Sequence, residues 1–137
     1  MPFQVLVIVI VVLAAFFLLD VFSGRSTSKR RQQASEADAL LTKAERHMLV
    51  GELVESELFF SEALKKAEDA HADLLSSEAL YGLARIENKR RDFSQAAAHL
   101  ERAVQLSTSW KVQKPDFERL IRMELASVRK SIERPNK

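Results

Sequence analysis

The chain has 137 residues, contains no cysteine and carries a formal net charge of +2. The lack of cysteine excludes disulfides and thiolate metal sites, and the small net charge gives no general case for binding to nucleic acid. Only three glycines and three prolines are present, which favours long helices over hairpins of strands. The composition therefore predicts an all-α protein.

A strongly apolar segment lies near the start of the chain. Within residues 3–22 only Gln4 and Asp20 are polar. Twenty helical residues span about 30 Å, the thickness of the hydrocarbon core of a bilayer. We therefore predict one transmembrane helix over residues 3–22. A cleaved signal peptide is the alternative, although its usual basic segment before the apolar run is missing here.

The polar residues 23–33 follow the apolar segment and are predicted to form a basic linker. They contain four cations and no acid: Arg25, Lys29, Arg30 and Arg31. Such a cluster resists translocation and marks the cytoplasmic flank of a membrane helix. We expect contact between these cations and anionic headgroups of the lipid bilayer. The N-terminus is then outside and the helical domain cytoplasmic, at a bacterial inner membrane or an organellar membrane.

Residues 34–134 are predicted to form one helical domain. Apolar residues recur at helical spacing in residues 35–50, 52–69, 72–91 and 93–107, and Pro115 opens a fifth pattern. Short connections between such helices imply antiparallel hairpins, each covering the apolar face of its neighbour. The fifth helix, residues 115–133, is predicted to cap the stack. Trp110 lies in the polar connection before it, and we expect this side chain to pack beneath the cap.

Small and large residues recur in the same order in two stretches of this domain. The second stretch, about residues 77–108, contains Leu80, Leu83 and Ala84, then Asp92-Phe93-Ser94-Gln95-Ala96, Leu100, Ala103 and Val104. A weaker copy, about residues 37–70, contains Leu40, Ala44, Ser56, Phe60, Ala63 and Leu64. Small residues allow paired helices to approach closely. In these features residues 37–107 resemble the tetratricopeptide-repeat family of stacked helical hairpins.

The chain also departs from the family pattern. Lys43 stands where the family usually has leucine, His47 and Glu87 where it often has an aromatic residue, and Thr108 where a proline closes the repeat. The two copies are offset by 40 residues, whereas the family repeat has about 34. We therefore expect one helix or connection to be longer than the family standard.

The resemblance implies a groove, lined by the first helix of each repeat, that binds extended peptides or helices. By position, the first copy contributes Asp38, Leu41, Glu45 and Met48, and the second contributes Glu78, Tyr81, Arg85, Asn88 and Lys89. Docking through a broader surface is the alternative, because two repeats make a short groove. Residues 34–84 carry eleven acidic and four basic side chains, and residues 85–137 carry seven and thirteen. This asymmetry suits a protein partner of matching dipolar charge.

No pattern typical of a catalytic or metal site occurs in the sequence. Asp69, His71 and Asp73 are the one candidate cluster, but residues at such spacing do not converge on a helix. The basic run Lys89–Arg91 lacks the interleaved aromatic residues typical of nucleic-acid binding. We predict no enzyme activity, no cofactor and no small-molecule substrate.

The sequence instead favours a protein that binds other proteins at a membrane. We predict a membrane-anchored scaffold, assembly factor or accessory subunit of a larger membrane complex, with its protein partners in or at the membrane. The alternative hypothesis is a targeting receptor at the membrane surface that binds peptides in the repeat groove.

Overall fold

The computed structural model describes residues 2–134, which contain five α-helices and no strand. The helices are α1 (Pro2–Leu49), α2 (Leu53–Asp69), α3 (Asp73–Lys89), α4 (Phe93–Leu106) and α5 (Pro115–Glu133), with a 3₁₀ turn at Ser107–Ser109. The all-α fold class and the long apolar N-terminal helix are therefore confirmed.

Helix α1 is longer than expected, because the predicted linker at residues 23–33 is helical. The helix runs without interruption for 48 residues, a length of about 72 Å. Residues 29–33 are Lys, Arg and Gln, which favour helices, whereas residues 23–28 contain one glycine, three serines and one threonine, which do not. No proline interrupts the helix here. The hydroxyl of Thr27 donates to the carbonyl oxygen of Gly24 at 3.0 Å, within the helix. A rigid helix, rather than a flexible chain, therefore joins the apolar segment to the domain.

The first half of α1 packs against nothing else in the described chain. The large apolar side chains from Phe3 to Phe22 are all exposed, and none of the most apolar window is buried. Helix α1 is long and apolar enough to cross a membrane. Burial in the domain core does not account for these residues, since the domain begins at Ala37, the first buried residue of α1.

The rest of the chain forms a stack in which each helix contacts the next one, and α1 also contacts α3. Helix α3 belongs to both parts of the core. One side of it packs with α1 and α2 through Ala79, Leu83 and Ile86. The other side packs with α4 and α5 through Leu80 and Ala84. Trp110 is buried beneath α5, as expected from the sequence.

Three turns of the same geometry join the first four helices. The residues with positive φ are Gly51, His71 and Arg91, at intervals of 20 residues. In each turn the amide that follows this residue donates to a carbonyl five residues earlier, as Glu52 does to His47 at 2.9 Å. This is the Schellman arrangement at helix C-termini. Both connecting turns are short. The 40-residue offset between the two copies therefore comes from helices that are longer than the family standard.

Phe60 and Gly82 bring α2 and α3 together at the centre of the domain. Phe60 is the largest fully buried side chain. A Cβ atom added at Gly82 would overlap the ring of Phe60. The absence of a side chain at residue 82 therefore sets the distance between the two helices, and with it the contact between the two hairpins.

Glu87 explains one departure from the tetratricopeptide pattern. Its carboxylate lies in the interface between α3 and α4, with an exposed fraction of 8 %. Oε2 of Glu87 lies 2.8 Å from Nδ1 of His99. Burial raises the pKa of Glu87, and the hydrogen bond with His99 opposes this rise. A polar pair of buried Glu87 and half-buried His99 thus occupies the place of the expected aromatic side chain.

We expect Gly82→Ala to lower the free energy of unfolding by about 1 to 2 kcal/mol. Alanine gains about 1 kcal/mol in helix propensity, but overpacking against Phe60 costs more. Denaturant titration of the full chain, followed by fluorescence of Trp110, measures the change, because Trp110 is the single tryptophan. In a Phe60→Leu background the same substitution should cost at least about 0.5 kcal/mol less. Equal costs in the two backgrounds would show that the Phe60 contact does not limit residue 82.

We also expect His71→Gly and Arg91→Gly each to stabilise the domain by about 0.5 to 1 kcal/mol. Both residues have positive φ, at 53° and 61°, where a Cβ atom is strained and glycine is not. His71→Ala is the matched control, because it removes the side chain but keeps the Cβ atom, and it should give no gain. Gly51→Ala should lower stability by about 1 kcal/mol for the converse reason.

Candidate functional site

A groove of about 520 Å³ lies between α1, α3 and α5. Its lining combines apolar side chains with charged and polar side chains. The apolar set is Leu41, Leu49, Phe60, Tyr81, Phe117 and Leu120, and the polar set is Asp38, Thr42, Glu45, Arg46 and Glu78. An apolar lining with a few placed polar groups is typical of a binding site.

Aromatic side chains form one wall of the groove. The rings of Tyr81 and Phe117 meet edge to face, with centroids 5.7 Å apart. Phe117 lies in turn against the buried Trp110, at 5.2 Å between centroids. Nε1 of Trp110 donates to the hydroxyl of Ser77 at 2.9 Å. This chain of contacts fixes the position of the Tyr81 ring.

Glu45 on α1 and Arg85 on α3 form an ion pair beside the groove. Nη1 of Arg85 donates to both carboxylate oxygens of Glu45, at 3.0 and 3.2 Å. The guanidinium carbon also lies 5.5 Å from the centroid of the Tyr81 ring, within the range of a cation–π contact. The two charges therefore neutralise each other, and the contact with Arg85 helps to position the Tyr81 ring.

Burial raises the pKa of Tyr81 above its usual value. The charge of Glu124 on α5 adds to this rise and that of Glu45 adds less, whereas the cation of Arg85 opposes it. A tyrosine hydroxyl in this position stays protonated, so it can donate a hydrogen bond to a partner.

Asp38 and Arg46 are the charges of the groove lining that form no ion pair within the described residues. Both side chains are exposed. They lie eight residues apart on α1, which corresponds to about 12 Å along the helix. One edge of the groove thus carries an available negative charge toward the N-terminus and an available positive charge toward the C-terminus of α1.

The predicted partner-binding residues occupy three different environments. Asp38, Leu41, Glu45, Glu78 and Tyr81 line the groove, and Arg85 contacts it through Glu45. Met48 lies in the core with an exposed fraction of 3 %, so we remove it from the candidate surface. The last two predicted residues, Asn88 and Lys89, are exposed beyond the groove lining.

Six groove residues were not among the partner-binding residues predicted from the sequence: Thr42, Arg46, Leu49, Phe60, Phe117 and Leu120. Phe117 and Leu120 belong to α5, which the sequence predicts as a cap and which the structure also places along the groove. Leu120 remains partly exposed, unlike the neighbouring Ile121 in the core. In the sequence, Leu120 lies at the margin of the apolar stripe of α5, and this position could have identified it as a groove residue.

Much of the charge asymmetry between the two halves of the domain is neutralised within the domain. Four basic side chains of the C-terminal half pair with acidic side chains of the N-terminal half: Arg85 with Glu45, Arg90 with Glu57, Arg102 with Glu68, and Lys114 with Glu78. Such exposed pairs contribute about 0.2 to 1 kcal/mol each. The charge asymmetry therefore stabilises the packing of the helices, in addition to any role that it has in binding a partner.

A larger hollow of about 840 Å³ lies between the start of α4 and the end of α5. Its lining is mainly charged and polar, with Phe93 and Ile132 as its apolar side chains. We place the candidate site in the groove, because the groove combines an ordered aromatic wall with residues that the sequence singles out. No group of three or more His, Asp or Glu side chains within residues 2–134 could hold a metal ion.

The four predicted membrane-flanking cations are exposed along α1: Arg25, Lys29, Arg30 and Arg31. Lys29 and Arg30 line a hollow of about 400 Å³ together with Asp69 and His71. The turn between α2 and α3 therefore lies beside the basic segment of α1.

Comparison of the chain with protein-family models, with curated proteins and with solved structures returned no match. The resemblance to the tetratricopeptide family therefore stays a prediction that depends on the residue pattern.

We expect the Tyr81 phenol to titrate above the usual pKa of about 10 in the folded chain and near that value after unfolding. Because the folded state holds this proton more tightly, the resulting stability is present below pH 10 and is lost as the pH rises through the folded pKa. Ultraviolet absorbance of the phenolate isolates this residue, since the chain has one tyrosine.

Two variants identify the cause of the shift. Arg85→Gln should raise the pKa of Tyr81 further, because it removes the cation beside the ring, and Glu124→Gln should lower it. An unchanged pKa in both variants would show that these charges do not act on Tyr81.

Proposed function

We propose that this protein is a membrane-anchored interaction module that holds a segment of a protein partner in the groove between α1, α3 and α5. It serves as a scaffold, assembly factor or accessory subunit of a membrane complex, without catalysis. The observation that carries the proposal is the groove itself: an ordered aromatic wall and apolar floor, with two available charges on one edge.

The apolar half of α1 supports the anchoring. Its side chains are exposed in the chain alone, so lipid is the environment that would remove them from water. The basic cluster at residues 25–31 favours a cytoplasmic domain with the N-terminus outside. Anchoring confines the groove to a layer next to the membrane, which raises its effective concentration toward partners in the same membrane.

The groove chemistry selects the kind of partner segment. The apolar floor suits a short amphipathic helix or strand with one apolar face. Asp38 attracts a basic side chain of that segment, and Arg46 attracts an acidic one about 12 Å away. Glu45 and Arg85 are less available because they bind each other. We therefore propose a partner segment with an apolar face flanked by one base and one acid at this spacing.

We expect the double variant Asp38→Lys with Arg46→Glu to reduce partner binding at least about tenfold. It reverses both available charges and leaves the net charge unchanged, so partner charges that were attracted are repelled. The measurement is purification of the full chain from membranes in mild detergent, quantification of stoichiometric partners, and affinity determination with the partner segment once identified.

Glu62→Lys with Lys65→Glu is the matched control. Both positions are exposed on α2, outside the groove lining, and the pair undergoes the same change of charge. Binding should be retained in this variant, and reversal of the partner's base and acid should restore binding to the groove variant. Equal loss in the groove and control variants, or no loss in either, would exclude the groove as the binding site.

Titration of amphipathic basic peptides against the full chain in nanodiscs tests the alternative, a targeting receptor. Saturable binding that changes the phenolate titration of Tyr81 would favour the receptor, because the peptide would then contact the aromatic wall of the groove. Absence of saturation at high micromolar concentration would remove this alternative.

A further inference from the structure

The connection between α4 and α5, residues 107–114, is an ordered loop with an exposed apolar tip. Trp110 anchors the loop in the core, and the hydroxyl of Ser109 donates to a carboxylate oxygen of Asp73 at 2.8 Å. The amide of Gln113 donates to the carbonyl oxygen of Trp110 at 2.9 Å, which turns the chain tightly around Val112. Val112 is 88 % exposed. The loop therefore presents an apolar side chain to the surroundings at a fixed position.

This loop lies at the same end of the domain as the basic segment of α1. Its contact with Asp73 places it beside the first residue of α3. The turn before α3 lines a hollow with Ser26, Lys29, Arg30 and Gln33 of α1. By the rise of about 1.5 Å per residue, Ser26 to Gln33 extend from about 6 to about 17 Å beyond Phe22. The loop is thus close to the layer of lipid headgroups when residues 3–22 span the bilayer.

The charge at this end of the domain complements an anionic surface. Residues 107–114 contain Lys111 and Lys114 and no acid, and Lys111 is exposed. Lys114 pairs with Glu78 at 3.2 Å. Three acids lie in or beside this turn and loop, namely Asp69, Asp73 and Asp116, and the four cations of α1 together with Lys111 outnumber them. The combination of an exposed apolar tip with surrounding cations is the pattern of a membrane-surface contact.

We propose that residues 107–114 form a second contact with the membrane, in which Val112 enters the headgroup layer and Lys111 binds anionic headgroups. The proposal rests on the anchoring of residues 3–22 proposed above. Because α1 is a continuous helix, this second contact sets the tilt of the domain. The groove between α1, α3 and α5 then faces the membrane plane at a defined angle.

Two single-cysteine variants test the contact, since the chain has no other cysteine. Val112→Cys carries an environment-sensitive fluorophore at the loop. Val50→Cys carries the same fluorophore at the opposite end of the domain, where valine is 71 % exposed. The full chain is reconstituted in vesicles of phosphatidylcholine with phosphatidylglycerol. The label at residue 112 is expected to report an apolar environment and to be quenched by brominated lipid, and the label at residue 50 is not.

Charge dependence separates headgroup binding from chance proximity. Lys111→Gln is expected to lower the ratio of contacting to free loops about fivefold, and Lys89→Gln, at the opposite end, to leave it unchanged. Raised salt, or vesicles of phosphatidylcholine alone, should reduce the contact in the same way. Equal solvent exposure of the labels at residues 112 and 50 in anionic vesicles would overturn the proposal.

Failure of the anchoring has a different readout. An unanchored chain is released from neutral vesicles by alkaline extraction, whatever the label reports. A chain that resists extraction but shows an exposed label at residue 112 contradicts the loop contact alone.

Discussion

The close contact of Phe60 with Gly82 is the constraint on which the rest of the domain depends. It allows α2 to lie directly on α3, and α3 contributes to both parts of the core. If the two helices were farther apart, the first hairpin would separate from the second, and the base of the groove, which Phe60 also lines, would open. One missing side chain therefore determines both the packing of the hairpins and the shape of the candidate site.

The helical fold could be predicted from the sequence because its determinants are local. Gly51 ends α1 and Pro115 begins α5, and each acts through its own backbone geometry. At residues 23–33 polarity alone predicts a linker, but the structure has a continuous helix there. Polarity shows only that a segment is exposed to water; the helix continues here because no proline interrupts it and residues 29–33 favour helices, although residues 23–28 do not. The turns at His71 and Arg91 carry no glycine, so their positive φ could not be predicted from the residue type.

The candidate site was harder to predict, because it depends on which side chains meet after folding. Position within a repeat identified Leu41, Glu45 and Tyr81, which do line the groove. It could not show that Met48 turns into the core, or that Glu45 and Arg85, 40 residues apart, neutralise each other. A repeat pattern gives the face of a helix, but charge pairing between distant helices decides which groups remain available to a partner.

The continuity of α1 links the apolar N-terminal segment and the groove mechanically. A flexible linker would let the domain rotate freely relative to the apolar segment, so the groove would have no fixed direction. A helix through residues 23–33 instead fixes the rotation of Asp38 and Arg46 relative to the apolar side chains of residues 3–22, since all lie on one helix. In the proposed arrangement a partner in the same membrane meets the groove from a restricted set of directions. Orientation is then set before binding, which reduces the entropy that association must lose.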